Sequence, residues 1–186
     1  MSLKIAPLLN TDDLVALPDD GNIYEIVEGE LIVSRSPALT HQLVLGNLLF
    51  YLKSYLVRNP IGEAFPNPGV IFDRHNSVIP DIAFLTNEQI ERVGSEPHVH
   101  EAPALAVEIV SPGRENARRD RVVKLEVHGK FGVKEYWVAD PKSRTVEIYR
   151  LAEGALAHVA TLGGEEDITS PALPGFACKV VRIFGT

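Results

Sequence analysis

The chain has 186 residues, 45% of them hydrophobic, with a formal net charge of −7 and an isoelectric point near 5.4. That length supports one good core rather than two, and the surplus of acid excludes a protein that coats nucleic acid by bulk charge, because such binding rests on excess Lys and Arg. No apolar run approaches the ~18 residues that span a bilayer, and Met1-Ser2-Leu3-Lys4 lacks the charged-then-apolar profile of a secretion signal, so a single-domain cytoplasmic protein with no membrane contact is expected.

The first segment, about residues 1–22, reads as a loosely packed arm in which Thr11-Asp12-Asp13-Leu14 offers a short-helix cap. Tyr24 to Val27 and Glu30 to Ser34 flank Glu28-Gly29 and predict a hairpin. Thr40 stands where it can cap a helix whose apolar stripe is Leu45, Leu48, Leu49, Leu52 and Leu56, ending before Asn59-Pro60. Strands are predicted around 62–65, 69–72 and 80–85, with Asn76-Ser77 turning the last two into a hairpin. A short helix from Asn87 to about Val93 and a polar loop to Pro103 follow.

The second half predicts a strand around Glu108, a helix from about Glu115 to Lys130, and strands at 135–139, 145–151, 158–162 and 177–184. Cys178, the single cysteine, lies in the last of these and reads as a core thiol. A strand, a helical crossover and a returning strand imply a parallel pair, and with the hairpins this gives an α+β chain with a mixed sheet flanked by helices.

Two stretches carry chemistry. In Ile79-Pro80-Asp81-Ile82-Ala83-Phe84-Leu85 and in Ala104-Leu105-Ala106-Val107-Glu108-Ile109-Val110-Ser111, one acid sits inside an apolar run, and ionised acids are almost never buried without a partner. If the two strands are neighbours, Asp81 and Glu108 converge, and converging oxygen ligands are how proteins hold Mg²⁺ beside a phosphate. Residues 114 to 134 form a basic stripe, with seven Lys or Arg against three acids. It is either a solvated helix face or a surface in which Arg118, Arg119 and Arg121 track a phosphate backbone.

Tyr24-Glu25-Ile26-Val27-Glu28-Gly29-Glu30, His41 at a helix start, Pro80-Asp81, Val107-Glu108-Ile109-Val110-Ser111-Pro112, Asp120 with Lys124, and Gly132-Val133-Lys134-Glu135-Tyr136-Trp137-Val138-Ala139-Asp140-Pro141 come in this order. Together they resemble the Uma family of restriction-endonuclease-like proteins, a branch of the PD-(D/E)XK nuclease superfamily, over nearly the whole chain from Tyr24.

The resemblance implies a restriction-endonuclease-like core and a Mg²⁺-dependent endonuclease, with Mn²⁺ as a substitute ion. The metal would be held by Asp81, Glu108 and the backbone carbonyl of Ile109. The superfamily's lysine would fall on Val110, so Lys124 on the following helix is the expected replacement. Glu25, His41 and Asp120 are expected to support the site. His128 stands where the family usually has Tyr. The expected partner is nucleic acid, DNA in the first instance, and the chain is expected to form a homodimer or higher homo-oligomer; the alternative is a catalytically silent nuclease fold serving as an interaction or assembly module.

Overall fold

The protein is described by a computed structural model that covers residues 8–111 and 119–185, with the side chains of residues 119 and 120 outside the description. A short 3₁₀ helix, Thr11–Ala16, is opened by a capping box between Asn10 and Asp13 and buries none of its residues. It is moored by backbone hydrogen bonds from Leu9 to Gly29 and from Thr11 to Arg74.

Strands β1 (Ile23–Val27) and β2 (Glu30–Ser34) form the expected hairpin. Its turn residues Glu28 and Gly29 both have positive φ, 51° and 77°, the left-handed pair that a two-residue turn needs to match strand twist. Helix α1 (Leu39–Leu56) starts one residue before Thr40, at an Ala38 cap with no side-chain hydrogen bond. Thr40 therefore caps nothing, and the helix is held instead by its buried face of Val44, Leu45, Leu48 and Leu52, as tertiary packing supplies most helical stability in proteins.

Next come β3 (Gly62–Pro66), β4 (Val70–Asp73), β5 (Asn76–Val78), β6 (Ile82–Thr86) and α2 (Asn87–Val93). The turn between β4 and β5 falls at Arg74-His75, two residues before the expected place. Asp73 Oδ1 accepts from the His75 amide at 2.8 Å and from the Asn76 side chain at 2.9 Å, while Asn76 Oδ1 accepts from the Glu28 amide at 2.9 Å. That ties Asn76 into a strand. The hairpin is consequently β4–β5, and β5 pairs with β1 rather than leading into a pair with β6.

The chain continues through β7 (Leu105–Ile109), a π-type turn (Arg119–Val123), α3 (Lys124–Lys130), β8 (Glu135–Asp140), β9 (Thr145–Ala152) and β10 (Ala155–Gly163). It ends with β11 (Asp167–Ser170), β12 (Leu173–Lys179) and the single turn α4 (Val180–Ile183). The expected last strand, 177–184, is thus half strand and half helix, and β11 is an additional strand pairing with β12.

The central sheet has the order β10-β9-β8-β7-β6-β3, in which β7 and β8 run parallel and the other neighbours antiparallel. A smaller sheet, β2-β1-β5-β4, carries the first hairpin. The fold is therefore α+β, a mixed sheet flanked by helices. Alternation along β7 sends Leu105, Val107 and Ile109 into the cluster formed with α1, Trp137, Phe176 and α4, and sends Ala106 to the opposite face, with Val133, Tyr136 and Val138. Glu108 shares that second face by the period of two.

Candidate active site

Asp81 lies at the entry to β6, not within it, because β6 begins at Ile82. The antiparallel register pairs Ile82 with Val107 and Ala83 with Ala106, so the next step places Asp81 beside Glu108, and residues directly opposite in such a pair point to the same face. The Asp81 side chain is fixed at both oxygens: Oδ1 is 2.9 Å from His41 Nε2, and Oδ2 accepts from the Ile109 amide at 2.6 Å. His41, in the first turn of α1, is buried, and among the described residues its Nδ1 has no partner.

Lys124 opens α3 and turns inward. Its Nζ is 3.1 Å from Glu108 Oε1 and 2.9 Å from Glu25 Oε1, and the three side chains are only 2% to 4% exposed. Glu25 comes from β1 in the smaller sheet, and its Oε1 also accepts from the Ile79 amide at 2.7 Å. One ammonium thus bridges acids from two sheets. Burying an acid pair is costly without a cation, and the position of Lys124 meets that cost. The arrangement also leaves the ammonium beside Glu108, one turn from His128.

His128 is fully buried between Phe72 and Tyr136, with ring centroids 5.5 and 5.1 Å away. Burial first, and then the charge of Lys124, push its pKa down to about 3, so it stays neutral beneath the site.

Asp81, Glu108, Ile109, Lys124, Glu25 and His41 all line one open pocket of about 170 Å³. Its lining adds Arg35, Gln42 and Asn67, which no sequence pattern singled out because no apolar run sets them off, and Ser111, which the segment from Val107 to Pro112 contains without marking a role for it. Asn67 has a trace in the sequence, the triplet Pro66-Asn67-Pro68. Its φ is +47°, a conformation Asn tolerates better than most residues, and its amide donates to the Asp81 carbonyl at 3.0 Å.

The basic stripe divides. Arg118 lies outside the described residues, as do the side chains of Arg119 and Asp120. Arg121 is turned to its own protein: Nε donates to Glu147 at 2.7 Å and Nη2 to Asp140 at 2.8 Å. Burial acts to lower its pKa, and these two hydrogen bonds outweigh it and raise it. The guanidinium fork is thereby spent on clamping the π-type turn to β8 and β9 rather than presented to a phosphate backbone.

Whether the pocket suits a divalent ion rests on its donors. Among the described residues no set of three His, Cys, Asp or Glu forms a closed ligand cage. Mg²⁺ does not require one, since it is commonly held by one or two carboxylates, with water and substrate phosphate completing the shell. Two hard-oxygen side chains on one face of adjacent strands, in a pocket open to solvent, fit that chemistry.

A comparison with functionally curated proteins finds no match. Among solved structures, the chain is similar to a "putative nuclease belonging to DUF820" from Anabaena variabilis, with 20% identity, a TM-score of 0.79 and coverage of 95% of this chain and 97% of that one. At that identity the likeness establishes the fold alone. Residues 11–181 match the family described as "Uma2: Putative restriction endonuclease", and the chain belongs to that family.

Proposed function

We propose that the pocket is the centre of a metal-dependent endonuclease that hydrolyses phosphodiester bonds of nucleic acid, DNA in the first instance. The observation that carries this reading is the meeting of Asp81, Glu108 and Lys124 in one solvent-open pocket where β6 and β7 lie side by side. Asp81 and Glu108 would hold Mg²⁺ or Mn²⁺, with the Ile109 carbonyl as a further oxygen. When bound, such an ion polarises a phosphate oxygen and lowers the pKa of its water.

The remaining work falls to the protein's own groups. His41 and the Ile109 amide hold Asp81 in one orientation. Lys124, in the place of the cation that Val110 cannot be, offsets charge developing on the phosphate oxygens. Glu25 keeps the ammonium beside Glu108. Asp120, four residues before Lys124, and Arg118 and Arg119 enter the proposal as flanking groups, for support and for contact with the nucleic-acid backbone.

One observation favours the catalytically silent alternative: Lys124 already compensates Glu25 and Glu108 without any ion. Calorimetric titration of Mn²⁺ into the protein and into Asp81→Ala separates the two. The endonuclease reading expects a saturable binding event that Asp81→Ala abolishes, whereas no binding by the parent protein supports the silent module.

A further inference from the structure

Helix α1 is apolar on both sides. Its inner face builds the core, yet Leu39, Leu43, Phe50 and Val57, at its outer face and C-cap, are 89%, 50%, 64% and 84% exposed. With Gly46 and Lys53 these residues follow the spacing 4-3-4-3-4, the heptad seam of a helix that meets another helix. A Cβ added at Gly46 would meet nothing within 4 Å, so the middle of the seam is a notch. From Leu39 to Val57 the sequence contains no Asp or Glu, and Lys53, the one charge, is paired with Glu63 at 2.8 Å. In a chain of net charge −7, this is a face on which a second copy meets no like-charge repulsion.

We infer that this face pairs with itself, α1 against α1 of a second copy, antiparallel and about a two-fold axis that crosses the exposed face midway between Gly46 and Phe50. The seam is self-complementary in that register. Phe50 of each copy fills the Gly46 notch of the other, Leu39 lies against Val57, and Leu43 lies along the aliphatic stem of Lys53. A two-fold interface requires this reciprocity. The helix is about 27 Å long and ~10 Å wide, which presents less than the ~800 Å² per partner of a standard interface. The dimer is therefore a reversible one, with its dissociation constant in the micromolar range or weaker.

Sedimentation velocity of the full chain, from micromolar to several hundred micromolar, tests this. The expected result is concentration-dependent dimerisation. Phe50→Glu should weaken it at least tenfold, and Gly46→Glu should do the same while raising thermal stability, because it replaces an exposed mid-helix glycine. Leu39→Cys mixed with Val57→Cys should give a heterodisulfide in preference to either homodisulfide. A monomer at every concentration, a dimer indifferent to both Glu variants, or crosslinks that favour Leu39→Cys to itself would each overturn the inference. None of these readouts depends on metal binding or cleavage, so the inference and the endonuclease proposal fail separately.

Discussion

The parallel pair at the centre of the sheet buries one glutamate at each end, and the two are handled differently. Glu135, at the start of β8, turns Oε1 to the Trp137 indole N–H at 2.9 Å and Oε2 to the Ser170 hydroxyl at 2.5 Å. Arg150 Nε lies farther off, at 3.7 Å. Glu108, near the end of β7, faces the Lys124 ammonium in an open pocket shared with Asp81. Two neutral donors at hydrogen-bond distance make Glu135 a strut between β8 and β11. A lysine shared between two acids beside a third, all lining one pocket, makes a polarised site. Burial of an acid is common to both; what distinguishes them is that neutral donors hold Glu135 at hydrogen-bond distance, with Arg150 farther off, whereas an ammonium holds Glu108.

Lys124→Met should show the largest effect. It leaves Glu25 and Glu108 buried without their cation, an expected loss of about 3–5 kcal/mol in metal-free buffer, partly restored by Mg²⁺ or Mn²⁺. Cleavage should fall by roughly 10²–10³, the scale of losing one stabiliser of transition-state charge. The 2% to 4% exposure of the cluster is what makes the substitution costly to the fold. Denaturant titrations with and without the ion measure it, and equal losses in both buffers would remove the link between lysine and metal.

Glu135→Ala should act on stability alone. It strands two buried donors, the Trp137 N–H and the Ser170 O–H, for an expected loss of about 2–4 kcal/mol, with cleavage per folded molecule unchanged. A variant that is fully stable, or one that is folded and inactive, would erase the contrast between the two glutamates.

The smallest effect at neutral pH belongs to His128. Its folded pKa is depressed to about 3 from an ordinary 6.5, so below pH ~6.5 the unfolded chain takes up a proton that the folded protein refuses. The sign is that stability is complete above that pH and declines as pH falls, by up to about 1.4 kcal/mol per unit until the folded group itself titrates. His128→Phe should match or exceed the parent at pH 7, since among the described residues both ring nitrogens lack partners. It should also lose less stability between pH 6 and 4. Parallel acid dependences in the two proteins would count against a neutral, unpartnered His128.

These contrasts also show what a one-dimensional reading can reach. Most strands and helices were legible because apolar periodicity and turn residues are local, although β5, β11 and the closing helical turn were not, and Glu108 stood out because an acid interrupts Leu105 to Val110. Glu135, just as buried, did not stand out, because it follows Gly132-Val133-Lys134 and reads as the polar start of a strand; its partner Ser170 is 35 residues away. The turn at Arg74-His75 was missed because Asn76 looks like a turn former until Glu28 offers it an amide from another hairpin. Arg121 read as part of a solvated or phosphate-tracking stripe because its acids, Asp140 and Glu147, arrive on later strands. Glu135, Asn76 and Arg121 are each a polar group whose partner is distant in sequence, and the pairing decides its role.

The central proposal, that Asp81 and Glu108 make a metal-dependent nuclease centre, is tested most directly by incubating supercoiled plasmid with the parent protein and with Asp81→Asn, in Mg²⁺ or Mn²⁺ and with excess chelator. Asn at position 81 can still accept from the Ile109 amide, so the fold should persist. The account predicts nicking or linearisation by the parent protein, none with chelator, and none by a folded Asp81→Asn. Cleavage that survives Asp81→Asn, or a parent protein inert with both ions, would contradict it.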